Sequence, residues 1–88
     1  MKVYKKGSAP DNAVYIGRGS KWGNPYVIGK DGNRAEVIEK YRVWAYQTWV
    51  EDQGYGVDWL EPIRGKDLVC FCAPLACHGD VLLEMIGE

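Results

Sequence analysis

The sequence predicts a single small α/β domain with a short mixed sheet, one long central helix and a C-terminal strand–loop–helix unit. Three observations predict this class. The chain has 88 residues, which is enough for one hydrophobic core but not for two. Short apolar runs alternate with clusters of glycine and proline, as short strands and their connections do. One longer segment repeats apolar residues every three to four positions, which is the period of an amphipathic helix.

The N-terminal third contains three short predicted strands. Val3-Tyr4 and residues 13–16 are apolar runs, separated by turn-forming residues at 7–12. The segment 17–25 holds three glycines and a proline in nine residues, so it is a predicted loop. Residues 26–28 follow as a third short strand.

A long helix is predicted over residues 34–51. Asn33 and Glu36 have the spacing of a capping pair at its start. Glycines at 54 and 56 mark its end. The apolar positions that share one face are Val37, Ile38, Tyr41, Trp44, Ala45, Thr48 and Trp49. This face is predicted to form core.

The C-terminal third predicts a strand, a loop and a helix. Residues 57–61 form one helical turn before Pro62, and residues 67–72 are nearly all apolar, as in a buried strand. Residues 73–76 break the strand, and a final helix of about ten residues starts near Cys77 or His78. Such strand–loop–helix units are where α/β folds usually bind ligands.

Charge and hydropathy exclude several functional classes. No apolar run reaches the roughly 18 residues that a membrane span needs. Residues 1–12 lack the apolar stretch of a secretory signal, so we expect a cytoplasmic location in a bacterial host cell. Residues 1–30 carry a net +5, but the whole chain carries −1, which argues against broad nucleic-acid binding. Homo-oligomerisation stays open.

The segment from Cys70 to Asp80 contains all three cysteines and the one histidine. One interpretation is a zinc site formed by Cys70, Cys72, Cys77 and His78. A second is a reactive thiol, with Cys72 paired to His78 and the imidazole oriented by Asp80. In the third, the cysteines pack in the core, and backbone N–H groups at 78–80 bind an anion at a helix N-terminus.

The glycine-rich loop 17–25 is the second candidate for chemistry. Its glycines allow the backbone to approach a ligand closely, and Arg18 and Lys21 can bind phosphate or carboxylate. Trp22 can stack on a base, and Arg64 can add positive charge from a second segment. The loop matches neither the Walker A spacing nor the dinucleotide-binding fingerprint.

Two blocks, VYIGRGSKWGNPYVIG at 14–29 and RGKDLVCFCAPLACHGDVLL at 64–83, resemble a known family. The family is the bacterial and phage domain of unknown function 4326, and the resemblance covers about residues 13–87. It implies a small intracellular domain, often phage-encoded, with no established activity. Residues 1–12, a predicted strand and turn, lie outside it. The positions on the family's motifs are Arg18, Gly23, Asn24, Pro25, Arg64, Gly65, Cys72, Cys77, His78, Gly79 and Asp80.

These observations lead to one main hypothesis and two alternatives. The main hypothesis is that loop 17–25 and segment 70–80 of the single domain 1–88 form a pocket for a phosphate-bearing nucleotide or nucleotide-derived signal. Its predicted ligand-binding residues are Arg18, Lys21, Trp22, Gly23, Asn24, Arg64, His78, Gly79 and Asp80. The first alternative is an enzyme that hydrolyses or transfers a nucleotide or nucleoside with Cys72, His78 and Asp80. The second is a structural zinc module that binds a partner.

Overall fold

A three-stranded sheet and two helices form the computed structural model, which describes residues 2–71 and 77–87. The α/β class predicted from the sequence is confirmed. In chain order the elements are β1 (Val3–Lys5), β2 (Val14–Tyr15), α1 (Arg34–Gly54), a 3₁₀ turn (Glu61–Ile63), β3 (Leu68–Cys70) and α2 (His78–Gly87). None of the described helices has both the length and the apolarity that crossing a membrane requires.

The sheet has β3 at its centre and the two N-terminal strands at its edges, in the order β1-β3-β2. Both described strand pairs are parallel, with Val69 opposite Tyr4 on one side and Tyr15 on the other. The expected mixed sheet is therefore parallel where it is described. All three residues of β3 are buried, which explains their apolar sequence, because a central parallel strand is covered on both faces.

Helix α1 begins where the sequence predicts and ends three residues later. The Asn33 side chain accepts a hydrogen bond from the Glu36 amide, and the Glu36 carboxylate accepts one from the Asn33 amide. This capping box confirms the predicted start. Residues 52–54 contain no proline and continue the helix up to Gly54. The face formed by Val37, Tyr41 and Ala45 is buried, as predicted.

Three predicted elements differ in the structure. Residues 26–28 form no strand, because the chain turns back at once: the Val27 amide donates to the Asp31 carboxylate, and Ile28 pairs with Gly32 in an isolated bridge. The helical turn expected at 57–61 instead spans Pro62 as the 3₁₀ turn, since proline fits the first turn of a helix. The strand expected at 67–72 is shorter. It ends at Cys70, Phe71 is exposed, and residue 72 lies outside the described residues.

Two tryptophans and a tyrosine fasten the glycine-rich loop to the core. The Trp22 indole N–H donates to the Trp59 carbonyl at 3.0 Å, and the Tyr41 hydroxyl donates to the Trp22 carbonyl at 2.7 Å. All three side chains are buried. Because α1 contributes Tyr41, these contacts hold the loop against the helix.

Candidate functional site

A cavity of about 190 Å³ lies where the glycine-rich loop, the first turns of both helices and the end of β3 meet. The two segments singled out by the sequence, 17–25 and 70–80, therefore both contribute to one cavity. Its lining residues are Gly17, Arg18, Asn24, Tyr26, Ile28, Arg34, Val37, Ile38, Cys70, Phe71, Cys77 and His78. The lining is mostly apolar, which is typical of small-molecule sites with a few placed polar groups.

Arg18 is held in place by the backbone of its own loop. Its Nη1 donates to the Asn24 carbonyl at 2.8 Å, and its Nη2 donates to the Tyr26 carbonyl at 3.2 Å. Both acceptors are neutral, so these bonds leave the positive charge of the guanidinium uncompensated. The loop thus positions a cation at the cavity wall.

Two positions of the loop require glycine, because neighbouring atoms leave no room for a Cβ. A Cβ on Gly17 would lie 2.3 Å from the Tyr15 hydroxyl oxygen, since the tyrosine ring folds over the glycine. A Cβ on Gly23 would lie 2.7 Å from the Gly17 carbonyl oxygen. Gly23 was predicted to bind ligand, but its contact places it at the base of the loop, where it lets the two ends of the loop touch.

The Asn24 amide also connects elements of the cavity wall. Its Oδ1 accepts a hydrogen bond from the Tyr26 amide at 2.9 Å, and its Nδ2 donates to the Val37 carbonyl at 3.4 Å. The side chain therefore ties the loop to the first turns of α1. One Nδ2 hydrogen remains for a ligand.

At the start of α2, Cys77 takes the capping position and Asp80 bonds back to its amide. The Gly79 amide donates to the Cys77 sulfur at 3.3 Å, and the Cys77 amide donates to the Asp80 carboxylate at 3.1 Å. The Asp80 amide bonds the Cys77 carbonyl. The anion site expected at the N–H groups of residues 78–80 therefore has two of its three donors, those of 79 and 80, already bonded within the helix start.

His78 is a buried, uncharged member of the cavity wall. Its Nε2 lies 2.6 Å from the Ile16 carbonyl oxygen, and because a carbonyl only accepts, Nε2 carries the proton. Burial lowers the pKa of His78, and the nearby charge of Arg18 lowers it further, against the opposite effects of the Ile16 carbonyl and Asp80. The imidazole is therefore neutral near pH 7, with a lone pair on Nδ1.

The two described cysteines form a close thiol pair. Their sulfur atoms are 3.1 Å apart, neither residue is in a disulfide, and both line the cavity. Hydrogen bonding to Cys70 and burial raise the pKa of the Cys77 thiol. Cys72 lies outside the described residues. Within the described part of the chain, no three histidine, cysteine or acidic side chains cluster as metal ligands do.

The proposed catalytic triad is not assembled from its described members. The described hydrogen bond of the His78 ring goes to Ile16, and the Asp80 carboxylate bonds the Cys77 amide. Asp80 therefore serves the helix start instead of orienting the imidazole.

Several predicted ligand-binding residues lie away from the cavity lining. Trp22 is 7% exposed and belongs to the core, which corrects its assignment as a stacking ring. Lys21 is exposed, with its Nζ 5.0 Å from the centroid of the Trp22 ring. The Arg64 guanidinium is paired with the Asp58 carboxylate at 2.8 Å, which lowers the pKa of Asp58.

Gly79 is also absent from the cavity lining. A Cβ on Gly79 would lie 2.8 Å from a methyl carbon of Val3 and 2.9 Å from one of Ile16. Its place is thus the contact between α2 and the sheet.

Two lining residues that can contact a ligand were not among the site residues predicted from the sequence. Arg34, the first residue of α1, is a second arginine of the lining. Phe71 lies just beyond β3 and is 61% exposed. The sequence contains a signal for each of them. Arg34 begins a helix that follows a loop at the ligand-binding edge, and Phe71 is an aromatic residue at the end of a strand.

The charged residues of the described lining are all cationic. Arg18 and Arg34 are cations, His78 is neutral, and the described lining includes no carboxylate. Both helices also begin at the cavity, with Arg34 and His78 as their first residues, so the positive ends of two helix dipoles lie there. The fold and the site together define a small α/β domain with a cationic, largely apolar cavity.

The chain belongs to the family described as Domain of unknown function (DUF4326), whose model matches residues 1–88. The match includes residues 1–12, beyond the region 13–87 in which the sequence motifs lie. The chain is also 36% identical over 79 residues, 89% of this chain and 70% of the other, to the uncharacterized 12.4 kDa protein in the nrdA-td intergenic region of Enterobacteria phage T4. No solved structure matches the chain.

Proposed function

We propose that the cavity binds a phosphate-bearing nucleotide or a nucleotide-derived signal, without turnover. The observation that carries the proposal is the presence of Arg18 and Arg34 on a mostly apolar lining with no described carboxylate. A cationic site of this kind favours an anion, and the apolar lining favours an organic group attached to it.

The geometry of Arg18 supports an oxyanion ligand such as phosphate. Two backbone carbonyls fix the guanidinium before any ligand arrives, so little side-chain freedom is lost on binding. Each described bond uses one N–H of a terminal nitrogen. The planar group retains further donors, which match phosphate oxygens in pairs.

The two helix starts and His78 add to this preference. The dipoles of α1 and α2 place partial positive charge at the cavity even though capping side chains occupy the first amides. A neutral His78 adds a hydrogen-bond acceptor at Nδ1, which suits a hydroxyl or a base N–H of the ligand.

The enzyme and zinc alternatives stay predictions. Both depend on Cys72, which lies outside the described residues, and neither gains support from the described partners of His78 and Asp80. Recovery of the ligand after incubation separates binding from turnover. Zinc content and unfolding by a chelator test the metal alternative.

Titration calorimetry with AMP, UMP, ribose phosphate and inorganic phosphate tests the proposal. The informative variants are Arg34→Gln and Lys21→Gln, which each remove one positive charge, inside and outside the cavity. Losing a charge-assisted contact costs about 1.5–3 kcal/mol, so we expect Arg34→Gln to weaken binding about 10- to 150-fold.

The control, Lys21→Gln, is expected to change affinity less than about threefold, because an exposed charge outside the site acts only at long range. Chromatography of the recovered AMP or UMP is expected to return it intact. Equal losses in both variants, or no binding of any of these probes, would contradict the proposed site.

A further inference from the structure

Phe71 is an exposed aromatic ring at the edge of the cavity. It follows the last residue of β3, lines the cavity and is 61% exposed. Tyr15 supports the ring from one side in an edge-to-face contact, with centroids 6.1 Å apart at 81°. An apolar ring that is held in position and left open to solvent beside a cavity is typical of a binding surface.

The size of the cavity explains why a ring at its edge matters. Sites that enclose drug-sized ligands measure roughly 300–1,000 Å³, whereas this cavity measures about 190 Å³. A mononucleotide therefore leaves one end outside the enclosed volume. Phe71 and Ile28, which is 48% exposed, are the lining residues that offer apolar surface there.

Phe71 is also linked, through Tyr15, to the backbone of Arg18, the phosphate-binding residue of the proposed site. Tyr15 contacts the Phe71 ring and, through its hydroxyl, donates a hydrogen bond to the Arg18 carbonyl at 3.1 Å. One side chain thus spans the interval between the ring and the residue that carries the guanidinium.

Lys6 adds positive charge on the same side. Its Nζ lies 5.3 Å from the Phe71 ring centroid and 5.4 Å from that of Tyr15. The surroundings of Phe71 are therefore aromatic and cationic, which is the combination that proteins use to hold nucleobases next to phosphate.

We propose that Phe71 is the stacking surface for the base of a nucleoside monophosphate whose phosphate lies at Arg18 and Arg34. This inference rests on the proposed function and narrows it to one class of ligand, a mononucleotide with its base at the cavity edge. Stacking on an aromatic face tolerates every base, so affinity depends on the presence of a base more than on its identity.

The test compares AMP with ribose phosphate, which lacks the base, by titration calorimetry. Stacking is expected to make AMP bind about 5- to 150-fold more tightly to the native protein. Phe71→Leu keeps apolar bulk but removes the ring, and it is expected to abolish that preference while ribose phosphate still binds. Phe71→Trp keeps a ring and is expected to retain it.

The same titration observed by NMR provides a readout that altered folding does not imitate. Phe71 is the single phenylalanine of the chain, so its ring protons form a separate set of signals. Stacking is expected to shift these signals upfield on addition of AMP, but not on addition of ribose phosphate. A dinucleoside monophosphate such as ApA is expected to bind no more tightly than AMP.

The outcomes separate this inference from the proposed function. Equal affinity of the native protein for AMP and ribose phosphate, with both weakened by Arg34→Gln, would overturn stacking and leave the phosphate site standing. An unchanged AMP preference in Phe71→Leu would also overturn it. Absence of binding by all phosphate probes would overturn both proposals.

Discussion

The contact between α2 and the sheet predicts a specific loss of stability for Gly79→Ala. The new Cβ would lie 2.8 Å from Val3 and 2.9 Å from Ile16, closer than carbon atoms pack. Overpacking of this kind costs about 1–3 kcal/mol, whereas replacing glycine by alanine inside a helix gains about 1 kcal/mol. The expected net loss is therefore about 0–2 kcal/mol.

Gly54→Ala, in α1, is the matched control. Its Cβ meets nothing within 4 Å, so only the same helix-propensity gain of about 1 kcal/mol applies, and this gain cancels when the two variants are compared. The free energies of unfolding of the two variants, measured by urea denaturation, should differ by about 1–3 kcal/mol. A domain of this size should also melt about 4–8 °C lower for each kcal/mol lost. Equal stability of the two variants would refute the close packing of α2 on the sheet.

Two further predictions concern the buried polar contacts. Tyr41→Phe removes the hydroxyl that bonds the Trp22 carbonyl, and it should lower the free energy of unfolding by about 1–3 kcal/mol in urea denaturation. An unchanged free energy of unfolding would show that this hydrogen bond does not stabilise the fold. Because burial lowers the pKa of His78 in the folded state, the unfolded state binds a proton first as the pH falls below about 6.5. Stability is then lost with a slope of at most about 1.4 kcal/mol per pH unit from this residue. His78→Gln keeps an N–H donor for the Ile16 carbonyl, and it should reduce that slope in denaturation series between pH 5 and 7; an identical slope would contradict the assignment.

The predictable part of the fold is local. Asn33 and Glu36 predict the start of α1 correctly, because a capping box depends only on four consecutive residues and is therefore visible in the sequence. The buried strand around Val69 is equally visible as an apolar run. The strand expected at 26–28 does not form, because the Val27 amide donates a hydrogen bond to the Asp31 carboxylate. A prediction from β propensity does not take such a side-chain contact into account.

The predictable part of the site is its location, and individual roles are less predictable. The glycine-rich loop meets the end of β3 and the start of α2 at one cavity, as the order of elements implies. The roles of Trp22 and Arg64 differ from those expected, because each is bonded to another residue, Trp59 or Asp58. The sequence alone does not reveal these partners. Composition alone does not distinguish a ring or a cation that is already engaged from one that faces a ligand.

The most direct test of the central claim is an NMR titration of isotope-labelled protein with AMP. The predicted result is a set of saturable shifts in the backbone amide signals of cavity residues, led by Arg18, Asn24 and His78. Signals on the opposite side of α1, around Tyr46 and Val50, should stay unchanged. Shifts that cluster away from the cavity, or none up to millimolar AMP, would contradict a nucleotide-binding site there.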